Sequence, residues 1–388
     1  MRILHIGAES IRFMANDVQL PAVADAIDLR LIHRVLVIKL RHHGDVLLTS
    51  PVFSALKRLA PHLELDALVY RETAEMLEGH PAIRRIHTID RDLTRAGGFR
   101  SVRAELGLWR DLRAQSYDLV VHLTEHRRGA WLVRLINPKY AVGPERNERG
   151  CFWRTSFTHR YLVPRATLRH TIETNLDALR RIGIWPGDDD KSPVMVPGPA
   201  AEARISHLLH TLKLTRKEFI VVHPGSRWLF KSWPAKSTAS LLDQLAEDNW
   251  PIVVTGSRDP AERALIDAIQ ASTKVPAVDL VAQLSIPELA ALIGNARLLI
   301  GVDSAPMHIA TAMHTPVVAI FGPSGEAEWG PTGVLNRVVA STEHSCRPCG
   351  NNGCGGSNIS DCLVKLPVSR VIGAVREVLA TIDDDTAT

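Results

Sequence analysis

Residues 34–45 carry the sequence RVLVIKLRHHGD, in which a short apolar run ends in a basic and polar turn. A continuous aliphatic and β-branched run is typical of a parallel strand that is buried on both faces. The pattern returns at residues 219–227, FIVVHPGSR, where another apolar run ends in a polar turn. The two stretches therefore predict the first strands of two successive α/β units.

Further apolar runs follow each of these strands. They lie at residues 65–70, 85–89 and 117–123 in the first half, and at 251–255, 277–280, 298–301 and 316–321 in the second. Segments of helical length separate them, such as 51–59 and 99–115. The pattern predicts an α/β protein in which two Rossmann-like doubly wound domains face a central cleft. Ligands of such domains bind outside the carboxyl ends of the strands.

A Pro/Gly/Asp-rich stretch at residues 185–199, WPGDDDKSPVMVPGP, has the composition of a linker. We place an N-terminal domain at 31–190, a C-terminal domain at 200–388 and an extension of unassigned role at 1–30. The last helix is expected to pack back on the N-terminal domain.

The overall composition is that of a globular protein. The chain has 388 residues, of which 45% are hydrophobic and 23% charged, a length that suits two domains. No apolar run approaches the roughly 18–20 residues of a membrane span, and no signal peptide is recognised at the start. The expected location is the cytoplasm.

Positive charge is concentrated between residues 127 and 169, which hold ten Lys or Arg and two acids. Such a segment attracts phosphates, carboxylates or an anionic membrane surface. The alternative is a solvated surface, the usual cause of a charge run. We favour an acidic partner, and the absence of a nucleic-acid motif argues against nucleic acid.

The first polar turn contains Gly44 and Asp45. We interpret Gly44 as allowing a tight turn from strand to helix. Asp45 then either caps the helix that follows or stands at the cleft as a general base for a sugar hydroxyl. The spacing alone does not decide between the two roles.

The second turn, residues 223–234 (HPGSRWLFKSWP), carries Ser226, Arg227 and Lys231. A serine, an arginine and a lysine at a strand's carboxyl end favour a phosphate site. A surface lysine is the alternative for Lys231. After the next strand, Asp259 or Glu262 is a candidate for binding ribose hydroxyls, although Asp259 with the following proline is also an ordinary helix start.

Residues 301–312, GVDSAPMHIATA, give the strongest signal. A strand ends, Asp303 or Ser304 caps a helix, and small residues such as Ala305 leave its free N–H groups open. That helix end carries partial positive charge and suits a pyrophosphate. His308, one turn in, is a further candidate donor, or else a histidine at the edge of the core.

Four cysteines cluster at positions 346, 349, 354 and 362. The first pair has the spacing of zinc ligands, whereas the other spacings match no standard structural site. A structural zinc site and free thiols in a loop near the cleft are the two alternatives, and we favour free thiols.

The segments KLRHHGDVLLTSPV (39–52), HPGSRWLFKSWP and GVDSAPMHIATA resemble the heptosyltransferases of lipopolysaccharide assembly, glycosyltransferase family 9. The resemblance implies a GT-B fold, an ADP-heptose donor, the lipopolysaccharide inner core as acceptor, inversion at the anomeric carbon, and no cofactor or metal. It implies that Asp45 is the base and that Lys231 stabilises the donor phosphates. The donor-side residues are then Ser226, Arg227, Asp259 or Glu262, Asp303, Ser304, Ala305 and His308.

On the acceptor side we expect Arg41, His42, His122, Arg127 and Arg128, with peripheral contact to the anionic inner face of the inner membrane. Two other classes of function remain open. One is a nucleotide-sugar epimerase or hydrolase of the same fold, which would act without an acceptor. The other is a non-catalytic lipopolysaccharide-binding or nucleic-acid-binding protein, which would consume no ADP-sugar.

Overall fold

The computed structural model describes residues 23–96, 98–163 and 169–387, which form two parallel sheets of six strands each. The first sheet contains β1 (Arg34–Ile38), β2 (Glu64–Tyr70), β3 (Ile83–Ile89), β4 (Leu119–His122), β5 (Tyr140–Pro144) and β6 (His159–Tyr161). The second contains β7 (Ile220–His223), β8 (Ile252–Val254), β9 (Val278–Asp279), β10 (Leu298–Val302), β11 (Val317–Phe321) and β12 (Asn336–Ala340).

Helices connect the strands of both sheets. In the first half they are α1 (His43–Leu47), α2 (Ser50–Leu59), α3 (Arg91–Ala96), α4 (Gly98–Ala114), α5 (Arg127–Ile136), α6 (Gly150–Arg154) and α7 (Thr171–Arg180). In the second they are α8 (Pro199–Thr211), α9 (Ala235–Glu247), α10 (Pro260–Gln270), α11 (Ile286–Asn295), α12 (Ala305–Ala312), α13 (Glu326–Trp329), α14 (Asp361–Val364) and α15 (Val368–Ala387).

Both sheets have the doubly wound strand order. The first runs β3-β2-β1-β4-β5-β6 and the second runs β9-β8-β7-β10-β11-β12, so each turns back on itself between its first and fourth strands. The crevice at the carboxyl ends of those two strands is where doubly wound domains bind ligands. The motif turns after β1, β7 and β10 all lie at these points, and the predicted α/β fold class is confirmed.

Every predicted apolar run overlaps a strand of one of the two sheets. The strands β5, β6 and β12 were not predicted. The sequence of β5 is interrupted by Gly143 and Pro144, whereas β6 and β12 are edge strands, and β12 exposes two of its five residues. An edge or interrupted strand lacks the continuous apolar run that burial on both faces requires.

Part of the linker packs against the N-terminal half. Asp190 is buried and accepts two hydrogen bonds of 2.6 Å from the Arg58 guanidinium. Of the extension at 1–30, residues 1–22 lie outside the described residues. The remainder packs on the N-terminal domain, since Ile27 is buried and Asp25 pairs with Arg181 at 2.7 Å.

The last helix, α15, packs on its own domain. Its apolar side, with Val371, Val375 and Val378, is buried in one core with residues of β7, β10 and β11, and the helix contacts α9, β11 and β12. The prediction that it packs back on the N-terminal domain is therefore wrong. The physical reason is that α15 covers apolar surface of the C-terminal sheet that would otherwise be exposed.

The two halves meet through α1 and α12. Gly44 lies within α1 at the point of closest approach, where an added Cβ would stand 2.9 Å from the His308 imidazole. Its backbone is helical, so the glycine serves this close approach and not the tight turn that we predicted. The helix that carries Asp45 and the helix that begins in the last motif are thereby held side by side.

Candidate active site

A cavity of about 560 Å³ opens beside the switch point of the first sheet. The turns after β1 and β4 supply most of its wall, and a C-terminal loop closes it through Arg227. The lining residues are Leu40, Arg41, His42, Tyr70, Arg91, Thr124, Glu125, His126, Arg127, Arg149 and Arg227.

The cavity is strongly basic. Five arginines line it, against one carboxylate, Glu125, which is already bonded to Arg146. Burial and then the Arg227 guanidinium lower the pKa of His42, and burial and then Arg149 lower that of His126. Both imidazoles are therefore disposed to stay neutral, and the arginines dominate a site that suits carboxylates or phosphates.

Three of the predicted acceptor residues, Arg41, His42 and Arg127, line this cavity, and two do not. Arg128 is held by Glu105 in the space between α4 and α5. His122 is fully buried under Gly129 and stacks on Phe157 with ring centroids 5.7 Å apart. Both side chains point into packed contacts behind the cavity wall, so neither reaches the cavity.

The burial of His122 has a consequence for stability. Burial lowers the pKa of His122 to about 3, and that of the buried His80 and His308 to about 4. These histidines take up protons below about pH 6.5 in the unfolded chain but not in the folded one. Their contribution to the free energy of unfolding is therefore fully present above that pH and is lost as the pH falls towards 4. We expect each histidine to remove about 2 kcal/mol of unfolding free energy at pH 5.

Urea unfolding at pH 7.5 and pH 5 measures this loss. The variant His122→Leu should lose less stability between the two pH values than the wild type, whereas the exposed control His33→Leu should match it. Equal losses in wild type and His122→Leu would show that His122 is not neutral in the folded protein.

Asp45 lies in the first turn of α1 and does not cap it. His42 is the N-cap residue, and within the described ranges no hydrogen bond or ion pair engages the Asp45 carboxylate. Buried Lys39 donates a hydrogen bond to Asn175 at 2.9 Å. Burial lowers the pKa of Lys39 to about 8, and the nearby Asp45 carboxylate acts in the opposite direction. The carboxylate thus stands half-buried, near a positive group, with its oxygens available to a substrate.

The N-terminus of α12 is open. Ser304 occupies the N-cap position, but its hydroxyl donates to the Val302 carbonyl and caps no helix N–H. Asp303 is instead an ion-pair partner, with its Oδ2 atom 2.6 Å from Lys231 Nζ. The free helix end and the lysine are therefore brought together where β7 and β10 run side by side, with His223 opposite Gly301.

The structure separates Asp259 from Glu262. Asp259 is exposed and caps α10 by accepting from the Ala261 N–H at 2.8 Å. Glu262 is buried beneath Gly225, with Oε2 bonded to Ser257 and with Oε1 3.4 Å from His223 Nε2. Burial acts to raise the pKa of Glu262, but His223 and Ser257 outweigh it and hold the pKa below its usual value.

Other donor-side predictions have mixed outcomes. Arg227, a predicted donor-side residue, lies in the basic cavity and donates to His42 Nδ1 at 3.1 Å. Ser226 is buried, and its hydroxyl accepts from the Trp228 N–H at 3.5 Å. Ala305 begins α12, and His308 is buried with its pKa lowered by burial to about 4, hence neutral.

The four clustered cysteines carry no disulfide, and Cys362 is the buried one among them. In the part of the chain that the structure describes, no group of three or more His, Cys, Asp or Glu residues is arranged to hold a metal ion.

Sequence reasoning gave no site role to six residues of the cavity, which are Leu40, Tyr70, Arg91, Thr124, Glu125 and His126. Tyr70 is the last residue of β2, and Thr124, Glu125 and His126 follow β4, so the rule that ligands bind at the carboxyl ends of the strands would have marked them. Arg91 follows β3, and its guanidinium lies 3.8 Å from the centre of the Tyr70 ring.

Comparison with known proteins decides the family. Residues 106–359 match the model of glycosyltransferase family 9 (heptosyltransferase). The chain is also 34% identical over 294 residues to lipopolysaccharide heptosyltransferase 3 of Escherichia coli, covering 75% of this chain and 84% of that one. The chain belongs to glycosyltransferase family 9.

Solved structures of this family share the fold. The family 9 glycosyltransferase from Veillonella parvula superposes with a TM-score of 0.77 at 21% identity, covering 92% of this chain and all of that one. The E. coli heptosyltransferase WaaC, solved with ADP-2-deoxy-2-fluoro heptose, gives 0.65 at 19% identity, covering 89% and 99%. The predicted family and its GT-B fold are confirmed, and the chain is a glycosyltransferase.

Proposed function

We propose that this family 9 enzyme transfers L-glycero-D-manno-heptose from ADP-heptose to the inner core of lipopolysaccharide. The observation that carries the proposal is the position of Asp45. Its uncommitted carboxylate lies on the short helix that follows the basic cavity and packs against α12. A base in that position serves an acceptor on one side and a nucleotide-sugar on the other.

The donor belongs on the C-terminal domain. The uncapped N-terminus of α12 and the adjacent Lys231 provide fixed positive charge for a pyrophosphate. Glu262 Oε1 is buried 3.4 Å from His223 Nε2 and accepts no hydrogen bond from the described residues, which leaves an acceptor for a ribose hydroxyl. Because Asp259 is already used as a helix cap, we propose Glu262 as the ribose ligand. WaaC was solved with an ADP-heptose analogue, and the E. coli relative is named a lipopolysaccharide heptosyltransferase. Both names support an ADP-heptose donor.

The acceptor belongs in the basic cavity. An inner-core sugar bears carboxylates and phosphates, which the arginines of the cavity can bind in bidentate fashion. Residues 117–125, YDLVVHLTE, resemble lipopolysaccharide heptosyltransferase III, which agrees with the name of the E. coli relative, heptosyltransferase 3.

The reaction is then a single displacement. Asp45 takes the proton of the acceptor hydroxyl as its oxygen bonds to the anomeric carbon of the heptose. The bond from that carbon to the phosphate oxygen breaks, its electron pair leaves with ADP, and the anomeric configuration inverts. The end of α12 and Lys231 stabilise the charge that develops on the leaving group.

Release of ADP tests this function against the alternatives. Purified protein given ADP-heptose should release ADP only when a heptose-deficient core acceptor is added, and the acceptor should gain the mass of one heptose. ADP-sugar consumed without an acceptor would indicate an epimerase or hydrolase. Binding of the acceptor without any ADP release would indicate a non-catalytic lipopolysaccharide-binding protein.

The cavity arginines give a second test. Within the described ranges, Arg41, Arg127 and Arg149 enter no ion pair. Changing all three to Gln should raise the KM for a water-soluble core acceptor about tenfold or more, because each removes a charge-assisted bond. The donor KM should stay unchanged, and the acceptor effect should shrink at high salt.

The matched control for this variant is Lys139→Gln with Arg154→Gln. Both cations belong to the same basic segment but lie outside the cavity. An unchanged acceptor KM in the triple cavity variant, or an equal rise in the control, would contradict binding of the acceptor in this cavity.

Peripheral contact with the anionic inner face of the inner membrane completes the proposal, since the acceptor is lipid-linked. No helix within residues 23–96, 98–163 and 169–387 is long and apolar enough to cross a membrane. Contact through surface residues is the mode of association that the basic segment favours.

A further inference from the structure

Four large apolar side chains are exposed on two neighbouring helices of the N-terminal domain. Val102 and Leu106 of α4 are each 55% exposed, and Trp131 and Leu135 of α5 are 57% and 38% exposed. Within each helix the two residues are four apart, so they form one stripe on one side. We call these four residues the α4–α5 face.

The two helices pack side by side against the first sheet. Leu112 of α4 is buried in the same core as Leu132 and Ile136 of α5, on one side of the first sheet. The helices are further joined by the Arg128–Glu105 ion pair and by a 3.3 Å hydrogen bond from Trp109 Nε1 to the Leu135 carbonyl. Both helices bury the side that faces the sheet, so the four exposed side chains lie on the outer surface of two neighbouring helices, where Trp131 also packs on Phe152 of α6 with ring centroids 4.4 Å apart.

The surroundings of this face are basic. Exposed arginines occur on the same two helices, and further cations follow α5 in the chain: Arg103, Arg110, Arg113, Arg134, Lys139 and Arg154. The exposed acid among them is Asp111, while Glu105 is paired with Arg128. Aromatic and aliphatic side chains ringed by arginines are typical of a surface that lies in the headgroup region of an anionic bilayer.

A second copy of the chain fits this face less well. Pairing two identical faces would bring their arginines together, and like charges oppose such association. Anionic lipids supply the complementary charge as well as an apolar layer for Trp131 and Leu106.

The face also adjoins the proposed acceptor cavity. Arg127 lines the cavity and is the first residue of α5, and Trp131 follows one turn later, about 6 Å along the helix. A bilayer against this face therefore places the mouth of the cavity near the membrane surface, where a lipid-linked acceptor presents its sugars.

We infer that the α4–α5 face is a docking surface for an anionic lipid bilayer, into which Val102, Leu106, Trp131 and Leu135 insert while the arginines contact lipid headgroups. The identity of the acceptor rests on the proposed function above, but binding of the bilayer itself does not require it.

Vesicle sedimentation tests the inference on the full-length protein without donor or acceptor. Wild type should bind vesicles of phosphatidylcholine mixed with phosphatidylglycerol and bind phosphatidylcholine alone weakly. The variant Leu106→Ser with Trp131→Ser should lose affinity for the anionic vesicles about tenfold or more, because two apolar anchors are removed. The matched control Leu31→Ser with Ile359→Ser removes side chains of similar exposure, 59% and 57%, and should bind as wild type does.

Activity gives the second readout. On a water-soluble core acceptor, test and control variants should both match the wild type, which also shows that they fold. On an acceptor embedded in anionic vesicles, the test variant alone should be slower. Absence of transferase activity in all proteins would contradict the proposed function but leave the vesicle result interpretable.

Three outcomes would overturn the docking surface. The first is that wild type does not bind anionic vesicles. The second is that the test variant binds them with the affinity of the wild type. The third is a wild-type dimer, seen by analytical ultracentrifugation without lipid, that the test variant abolishes, since the face would then join two copies of the chain.

Discussion

Asp45→Asn is expected to reduce kcat by 10²–10⁴-fold, roughly the range associated with loss of a general base, while donor affinity stays near that of the wild type. The amide preserves the size of the side chain and disturbs no cap, because His42 and not Asp45 occupies the N-cap of α1. It cannot accept the proton of the acceptor hydroxyl. Single-turnover rates and calorimetric titration with ADP measure the two quantities separately.

Asp259→Asn is the matched control for this variant. Asp259 is exposed at the start of α10, and asparagine caps a helix about as well as aspartate. Its activity should therefore equal that of the wild type. If Asp45→Asn keeps more than about a tenth of the wild-type kcat, the base lies elsewhere.

The fold could be predicted from the sequence because most of its strands are buried on both faces and are therefore continuous apolar runs. The runs at 34–40 and 219–222 each contain the first strand of a doubly wound sheet. Edge strands such as β12 carry exposed polar residues between apolar ones, so their sequence pattern resembles that of a loop. The packing of α15 could not be predicted, because an amphipathic helix does not specify which apolar surface it covers.

The site was predictable where a motif directly follows a strand. Asp45, Lys231 and Ser304 all belong to the segments that follow β1, β7 and β10. The ion pair between Lys231 and Asp303 joins residues 72 positions apart and depends on the pairing of β7 with β10. The composition of each turn favours a phosphate site, but only the strand order shows that the two turns lie side by side.

Long-range packing decides the remaining residues. His122 and Arg128 belong to the same polar stretch as His126 and Arg127, yet the first two point inward and the last two into the cavity. On α5 the positions 127 and 128 differ by about 100° around the helix axis, so adjacent arginines face different surroundings. The sequence alone does not show which of these side chains point into the cavity, because that depends on how α5 is rotated where it packs on the sheet.

Lys231→Ala is expected to lower kcat by about 10²–10³-fold, the loss associated with removing one preorganised group that stabilises transition-state charge. Its ammonium lies 2.6 Å from Asp303 Oδ2 at the open end of α12. Removing it leaves a buried carboxylate without its partner next to the site where the negative charge of ADP develops. The effect should therefore fall on kcat as well as on the donor KM.

The double variant Lys231→Ala with Asp303→Asn separates the two contributions. If part of the loss comes from the uncompensated Asp303 carboxylate, the double variant should recover about tenfold in kcat over Lys231→Ala alone, and the two substitutions will not be additive. Lys236→Ala, a lysine of the following helix α9, is the control and should act as the wild type does. A rise confined to the donor KM in Lys231→Ala would mean that the lysine binds ground state and transition state equally, and its proposed part in stabilising the leaving ADP would be wrong.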